Sequence, residues 1–356
     1  MITRLTPLRA LAAAAIFLAV LVPSAAPDYV ISLATLVMIT ALLAVSVNML
    51  AGEVGLVSMG HAGIAAAAAY GVAWAARHDM GVGGQLVLAL LATLFVTGVY
   101  AVTTMRTDGL VFLMITLALG VMIFGLALKW STVTGGQSGL TGIRRPELVA
   151  GDREFYVLSL GVLLFALLLL RQFARSPLGL MLRGVRDSES RMASLGYSIA
   201  PAKFVAVMVS GLVAGAAGVL SVWNAEFMSP SAASFERSAM AVVIIIIGGI
   251  GATFGPLLGA GLVVGISHWL SSYLERWPTL LGALFIAVVI FMPAGIVGFL
   301  KGPRRGHGPQ TAQALRALLP GKATGGNTSA PHSEERVDDH APSPADNQKG
   351  QEVDQK

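Results

Sequence analysis

Residues 238–270 read SAMAVVIIIIGGIGATFGPLLGAGLVVGISHWL, 33 residues without a single Asp, Glu, Lys or Arg. About 20 residues suffice to carry a helix across a hydrocarbon core, so this run is too long for one span. The core of it, GGIGATFGPLLG at 248–259, settles the matter. Gly248, Gly249, Gly251, Gly255 and Pro256 remove helix propensity and one backbone donor within nine positions. The run therefore divides into two short apolar blocks, 238–251 and 255–270, meeting at a broken or re-entrant segment.

Working outward, further apolar blocks lie at 29–51, 56–76, 86–105, 109–128, 155–172, 204–223 and 279–300. Only 12% of the 356 residues are charged and 55% are hydrophobic; soluble domains carry about 25% charged residues. The chain reads as an all-α polytopic membrane protein of about ten helices, within a range of eight to ten. The alternating segments of about ten residues that mark a porin-type barrel do not occur. Residues 10–22, ALAAAAIFLAVLV, follow Arg4 and Arg9 and precede PSAAPDY. They read as a retained first span or as a signal peptide cut after Ala26; the span count favours the first.

Charge placement tests that count. Arg171–Lys203 holds six basic and two acidic residues, and Lys301, Arg304 and Arg305 follow the last block. Residues 224–237 carry Glu226 and Glu236 against Arg237. Basic loops mark the cytoplasmic side, which puts the N-terminus, the 171–203 insert and the C-terminus there. Six spans then precede the insert and four follow it. The loop 129–154, net +1, fits least well. Residues 1–300 form the membrane domain; 301–356, polar and poor in apolar runs, is expected to be a disordered cytoplasmic tail. The net charge of +5 sits in these loops and does not point to nucleic acid.

Chemistry-bearing motifs are few. There are no cysteines, hence no disulfide or thiolate chemistry. GKATGG at 321–326 lacks Walker A spacing, and His61, His78 and His268 lie in separate segments, so no metal site and no catalytic centre is expected. NMLAGEVGLVSMGHAG, 48–63, places Asn48, Gly52, Glu53, Ser58 and His61 between two spans. It reads as unwound backbone lining a translocation path, or as an ordinary turn with packing glycines. STVTGGQSGLTGIRRPE, 131–147, offers Gly135, Gly136 and Gly139 as a second candidate lining. Arg106 and Asp108 read as turn residues. The scarcity of ionisable residues in the spans argues against a proton-coupled carrier.

SPLGLMLRGVRDSESRMASLGYSIAPAKF, 176–204, is the charged exception. Pro177 favours a helix start, Leu178, Leu182 and Val185 share a face, and Gly196 stops the helix, which is expected from about Pro177 to Leu195. Anionic lipid could hold it in the interface; its mixed charge favours a groove on a cytoplasmic partner.

GEVGLVSMGHAGIAAAAAYG, TGGQSGLTGI, the 176–220 stretch and GGIGATFGPLLGAG, in this order, resemble the LivM-type inner-membrane permease subunits of bacterial branched-chain amino-acid ABC importers, within the hydrophobic amino-acid uptake group. The resemblance covers about residues 29–300. It implies an ABC importer permease fold and a transport role without catalysis. Implied partners are a homologous second permease, two cytoplasmic ATPase subunits that bind the ATP, and a periplasmic substrate-binding protein. The 174–203 loop would carry the coupling helix, its apolar face docked in the ATPase, with Arg183, Gly184, Arg186, Asp187, Glu189 and Gly196 as contacts. Glu53 departs from the neutral residue more usual there. Related permeases serve urea and short amides, which the motifs do not separate from amino acids.

Overall fold

The structure is a computed structural model describing residues 27–271, 279, 282 and 295–300. All of these belong to one unit, Met1–Arg304. The expected first span at 10–22, most of the 279–300 block and the 301–356 tail lie outside the described residues.

Helix α1, Asp28–Met49, is apolar almost throughout and buried continuously from Ala41. It runs on into a π-helical turn, Leu50–Val54, closed by Gly55 at φ +79°. An irregular linker, 55–60, leads to α2, His61–Arg77. The sequence block 56–76 therefore starts as a helix five residues late, and of 48–63 only the linker is unwound. Asn48, Gly52 and Glu53 are helical. The remaining helices of six or more residues are α3 (Val82–Thr104), α4 (Gly109–Lys129), α5 (Asp152–Arg175), α6 (Pro177–Asp187), α7 (Glu189–Ser194), α8 (Ile199–Ala225), α9 (Phe235–Gly248), α10 (Gly255–Ser271) and α11 (Gly295–Leu300).

Among the described residues, five helices are long and apolar enough to cross a membrane: α1 with its π turn, α3, α4, α5 and α8. α2, α9 and α10 are shorter. α1 and α8 form the centre, with 61% of their most apolar stretch buried, against 28% in α3 and 22% in α4. Exposed Leu90, Leu91 and Phe95 on α3 and Leu110, Met114 and Met122 on α4 are what lipid-facing surfaces require.

Side-chain packing sets helix directions. α2 runs parallel to α8, since His61 bonds Ser210 and Ala65 lies against Gly218. α3 runs antiparallel to α8, with Thr97 on Gly211 and Thr93 on Gly215. α9 and α10 are antiparallel, and the chain between them, 249–254, turns back beside Gly52. One end of the bundle holds the π turn, the α3–α4 turn, α6 and α7. The other holds a two-residue antiparallel pairing of β1 (Leu140–Thr141) with β2 (Phe227–Met228).

The 176–204 stretch corrects the sequence reading in two ways. The expected helix to Leu195 is two helices: Ser188 takes extended backbone at φ −167° and caps α7 through Arg191 N–H, 3.4 Å away. A serine that accepts a backbone donor starts a new helix more readily than it continues an old one. The apolar face is also turned inward. Leu182 and Val185 are buried, and α6 packs on α5, the π turn and α8.

Candidate functional site

The π turn and α6 are joined by three polar contacts. Arg183 on α6 binds Glu53 with a two-pronged pair, Nε to Oε2 and Nη2 to Oε1, the latter at 3.1 Å. This fork-on-carboxylate geometry is the strong form of ion pair, and the Glu53 bond holds Arg183 above the usual guanidinium range. One turn on, Arg186 donates to the Gly52 carbonyl. A π turn widens the helix and leaves carbonyls poorly paired, so an arginine can occupy one. Gly55 meets the Arg186 side chain: a Cβ there would lie 2.6 Å from its Cγ.

The opposite side of the same turn holds the break between α9 and α10. Asn48 accepts from Gly251 N–H at 2.9 Å and donates to the Ala252 carbonyl at 3.2 Å. Gly52 packs directly on Gly251, where a Cβ would stand 2.6 Å from the Gly251 Cα. Gly249 and Gly251, at φ +106° and +74°, make the reversal possible, while Gly248, Gly255 and Pro256 flank it. Thus α6, the π turn and the α9–α10 break form one polar chain: Arg183–Glu53, Arg186–Gly52, Asn48–Gly251. A small cavity of ≈60 Å³ beside it is lined by Asn48, Glu53, Arg171 and Gly251, among others.

The linker 55–60 is non-helical backbone, buried at Leu56, Ser58 and Gly60, and other helices satisfy it, as buried backbone in a membrane protein requires. Tyr100 donates to the Gly60 carbonyl at 3.2 Å, and Met59 N–H donates to Thr116 Oγ1 at 3.2 Å. Ser58 and His61 join a buried relay. Ser210 Oγ donates to the Ser46 carbonyl (2.7 Å), which uses its proton. His61 Nε2 must then donate to Ser210 (2.7 Å), and Nδ1 accepts from Ser58 (2.8 Å). Gly60 N–H donates to the same Ser58 oxygen at 3.3 Å. The imidazole is a neutral strut tying α1, the linker and α8.

Gly135, Gly136 and Gly139 lie at the far end of the bundle, all with positive φ, where they shape the turn into β1. Nearby, Arg145 bonds the Trp223 carbonyl and Asp152, at 3.1 and 2.6 Å, with Glu226 at 3.8 Å and the Phe155 ring 4.7 Å beneath. Its charge is neutralised locally by these carboxylates.

The candidate path residues thus divide among separate places. None of them lines the larger cavity, ≈330 Å³, enclosed by α1, α2, α8, α9 and the β2 turn. Its walls include Ala65, Ala66, Ala69, Ala217 and Gly218. Small residues at helix interfaces are a readable signal: Gly211 and Gly215 stand four apart in α8.

Of the partner-contact candidates, Arg183 and Arg186 are engaged within the chain, Gly184 faces Met192 of α7, and Gly196 ends α7 at φ +85°. Asp187 stays exposed beside Arg186. Glu189 binds Lys203 at 2.9 Å, and Lys203, 2% exposed, also pairs with Asp108. Burial raises Asp108, but the Lys203 hydrogen bond and charge outweigh it, so the carboxyl sits below its usual range. This triad joins the α3–α4 turn to α7 and α8. Asp108 and Lys203 lie 95 apart in sequence, and nothing in either segment announces the pairing. Among the described residues no cluster of three or more His, Asp or Glu could hold a metal.

The family model of the branched-chain amino acid transport system / permease component matches residues 29–293. The high-affinity branched-chain amino acid transport system permease proteins LivM of Salmonella typhimurium and of Escherichia coli are each 28% identical over 299 residues, covering 75% of this chain and 69% of theirs. No solved structure matches the chain.

Proposed function

The chain belongs to the branched-chain amino acid transport system permease family, and from that premise we propose that it is a transmembrane subunit of an ABC importer for branched-chain or related amino acids. It pairs with a homologous second permease in a bacterial inner membrane, with both termini cytoplasmic. Two cytoplasmic ATPase subunits drive it, and a periplasmic binding protein delivers the solute. The observation that carries this reading is the family match across 29–293, which takes in the five long apolar helices, α6 and the α9–α10 break.

In this scheme α6 and α7 receive the ATPase's motion. Conformational work needs an element whose two positions both sites can bias. The Arg183–Glu53 pair ties α6 to the end of α1, and Asn48 ties that end to the α9–α10 break. Movement of α6 therefore reaches the centre of the bundle through the π turn. What faces outward for an ATPase to grip is Leu180, Asp187, Leu195 and Tyr197.

The test is reconstitution with the second permease, the ATPases and the binding protein in proteoliposomes. ATP-dependent uptake of leucine, insensitive to a protonophore, is expected. Uptake driven by a proton gradient without ATPases overturns the class, and uptake of urea or acetamide in place of leucine overturns the solute.

A further inference from the structure

We infer that the ≈330 Å³ cavity between α1, α2, α8 and α9 is a binding site for a small aliphatic amino acid, its carboxylate held by Arg237. The inference rests on the proposed amino-acid transport and names a site within it. The volume matches the lower range of small-molecule pockets, about 300–1,000 Å³.

Arg237 lines the cavity from the first turn of α9. Its backbone N–H is fixed by Ser234 Oγ at 3.4 Å. Its guanidinium donates to Ser221 Oγ of α8 at 2.8 Å, its only side-chain partner among the described residues. A guanidinium has five N–H donors in a planar fork, so most remain for a ligand. No lining residue carries a carboxylate, and Glu236, adjacent in sequence, is not in the lining. A cation at the mouth of an apolar cavity, short of acceptors, favours an anion that can take two bonds at once.

The rest of the cavity is shaped for an aliphatic body. Ile39 and Leu43 of α1 face Met240 of α9, with the alanines of α2 and α8 leaving the space between them. Thr40, Ser229 and Ser231 supply the other polar groups. Thr40 donates its proton to Leu36 O at 2.8 Å, and Ser229 and Ser231 bond each other at 2.6 Å. Their oxygens can still accept from an ammonium. One fork of donors, a few hydroxyls and apolar walls fit a zwitterion with a hydrocarbon side chain better than a neutral amide.

The experiment uses the assembled permease–ATPase complex in nanodiscs without binding protein, and reads binding of radiolabelled leucine. Leucine should compete for the label, while leucinamide, which lacks the carboxylate, should compete at least about tenfold more weakly. Arg237→Gln should lower leucine binding by a similar factor and erase the preference over leucinamide. Ala69→Phe, which fills the cavity, should abolish both. Equal competition by leucine and leucinamide in the wild type overturns the Arg237 assignment even if the variants do not fold. Unchanged leucine binding in Ala69→Phe overturns the cavity. Wild-type leucine uptake in proteoliposomes is measured alongside: its presence with either of these results sinks the site alone, and its absence sinks the transport reading on which the site rests.

Discussion

Glu53 is the residue whose meaning changed most between sequence and structure. A carboxylate after a glycine between two spans reads as path lining; folded, it is 17% exposed and clamped by Arg183. Because Arg183 remains 43% exposed, water screens the pair, and its loss costs at most about 1–3 kcal/mol. Glu53→Gln and Arg183→Gln should each lower ATP-driven uptake, and the exchanged pair Glu53→Arg/Arg183→Glu should recover part of it. A double variant no better than the worse single one shows that the pair carries no coupling. Lys203 is the second such residue. Lys203→Met leaves Asp108 and Glu189 facing each other without their cation, and should lower the thermal midpoint of the detergent-solubilised complex by several degrees, or about 1–3 kcal/mol. Asp108 has a depressed carboxyl. Its contribution is therefore complete above the unfolded value near 4 and is lost as pH falls through the lower folded value. Wild type and Asp108→Asn should differ in stability at pH 7, and the difference should start to shrink as pH falls below about 4; a difference that stays constant or grows on further acidification contradicts the pairing.

At the scale of elements, α6 is a strut with two faces. Leu182, 0% exposed, and Val185 hold it to the bundle, while Leu180 is 59% exposed. Leu180→Asp and Tyr197→Asp should leave assembly with the second permease unchanged and reduce ATPase co-purification. Leu182→Asp should destabilise the permease itself, as an unpaired carboxylate in an apolar seat does. The opposite ranking would put the partner on the inner face. The α9–α10 break is sensitive to a single methyl group. Gly52→Ala would push its Cβ to 2.6 Å from Gly251 Cα, a methyl group against backbone that cannot yield cheaply. Loss of substrate-stimulated ATPase turnover is expected, with insertion intact; wild-type turnover means the contact is not part of transmission.

For the whole molecule, orientation is the property to measure. The bundle has one end built by α6, α7 and the Asp108–Lys203–Glu189 triad, and another built by the β1–β2 pairing around Arg145. The chain has no cysteine, so single probes report cleanly. Ser190→Cys, at the α7 end, should resist an impermeant thiol reagent in intact spheroplasts, and Ala150→Cys, at the other, should react. Labelling of position 190 inverts the proposed topology.

How far the sequence reached follows from what range each force has. Apolar length made the all-α membrane class and the position of most helices readable, since each helix satisfies its own backbone within a local window. The α6 start was equally legible, because Ser176 and Pro177 act on the next turn alone. The Gly-rich run at 248–259 showed that a helix must stop there. It could not show that the stop lies beside Gly52, some 200 residues away. Nor could composition decide which way α6 faces: the periodicity of Leu178, Leu182 and Val185 defines a stripe, and the stripe's partner comes from packing against α5, the π turn and α8. The same holds for Arg183, Lys203 and Arg237. Their charge is written in the sequence, but what each charge meets depends on packing, as the buried Lys203 shows most plainly, and only the tertiary structure brings Glu53, Asp108 and Ser221 to them.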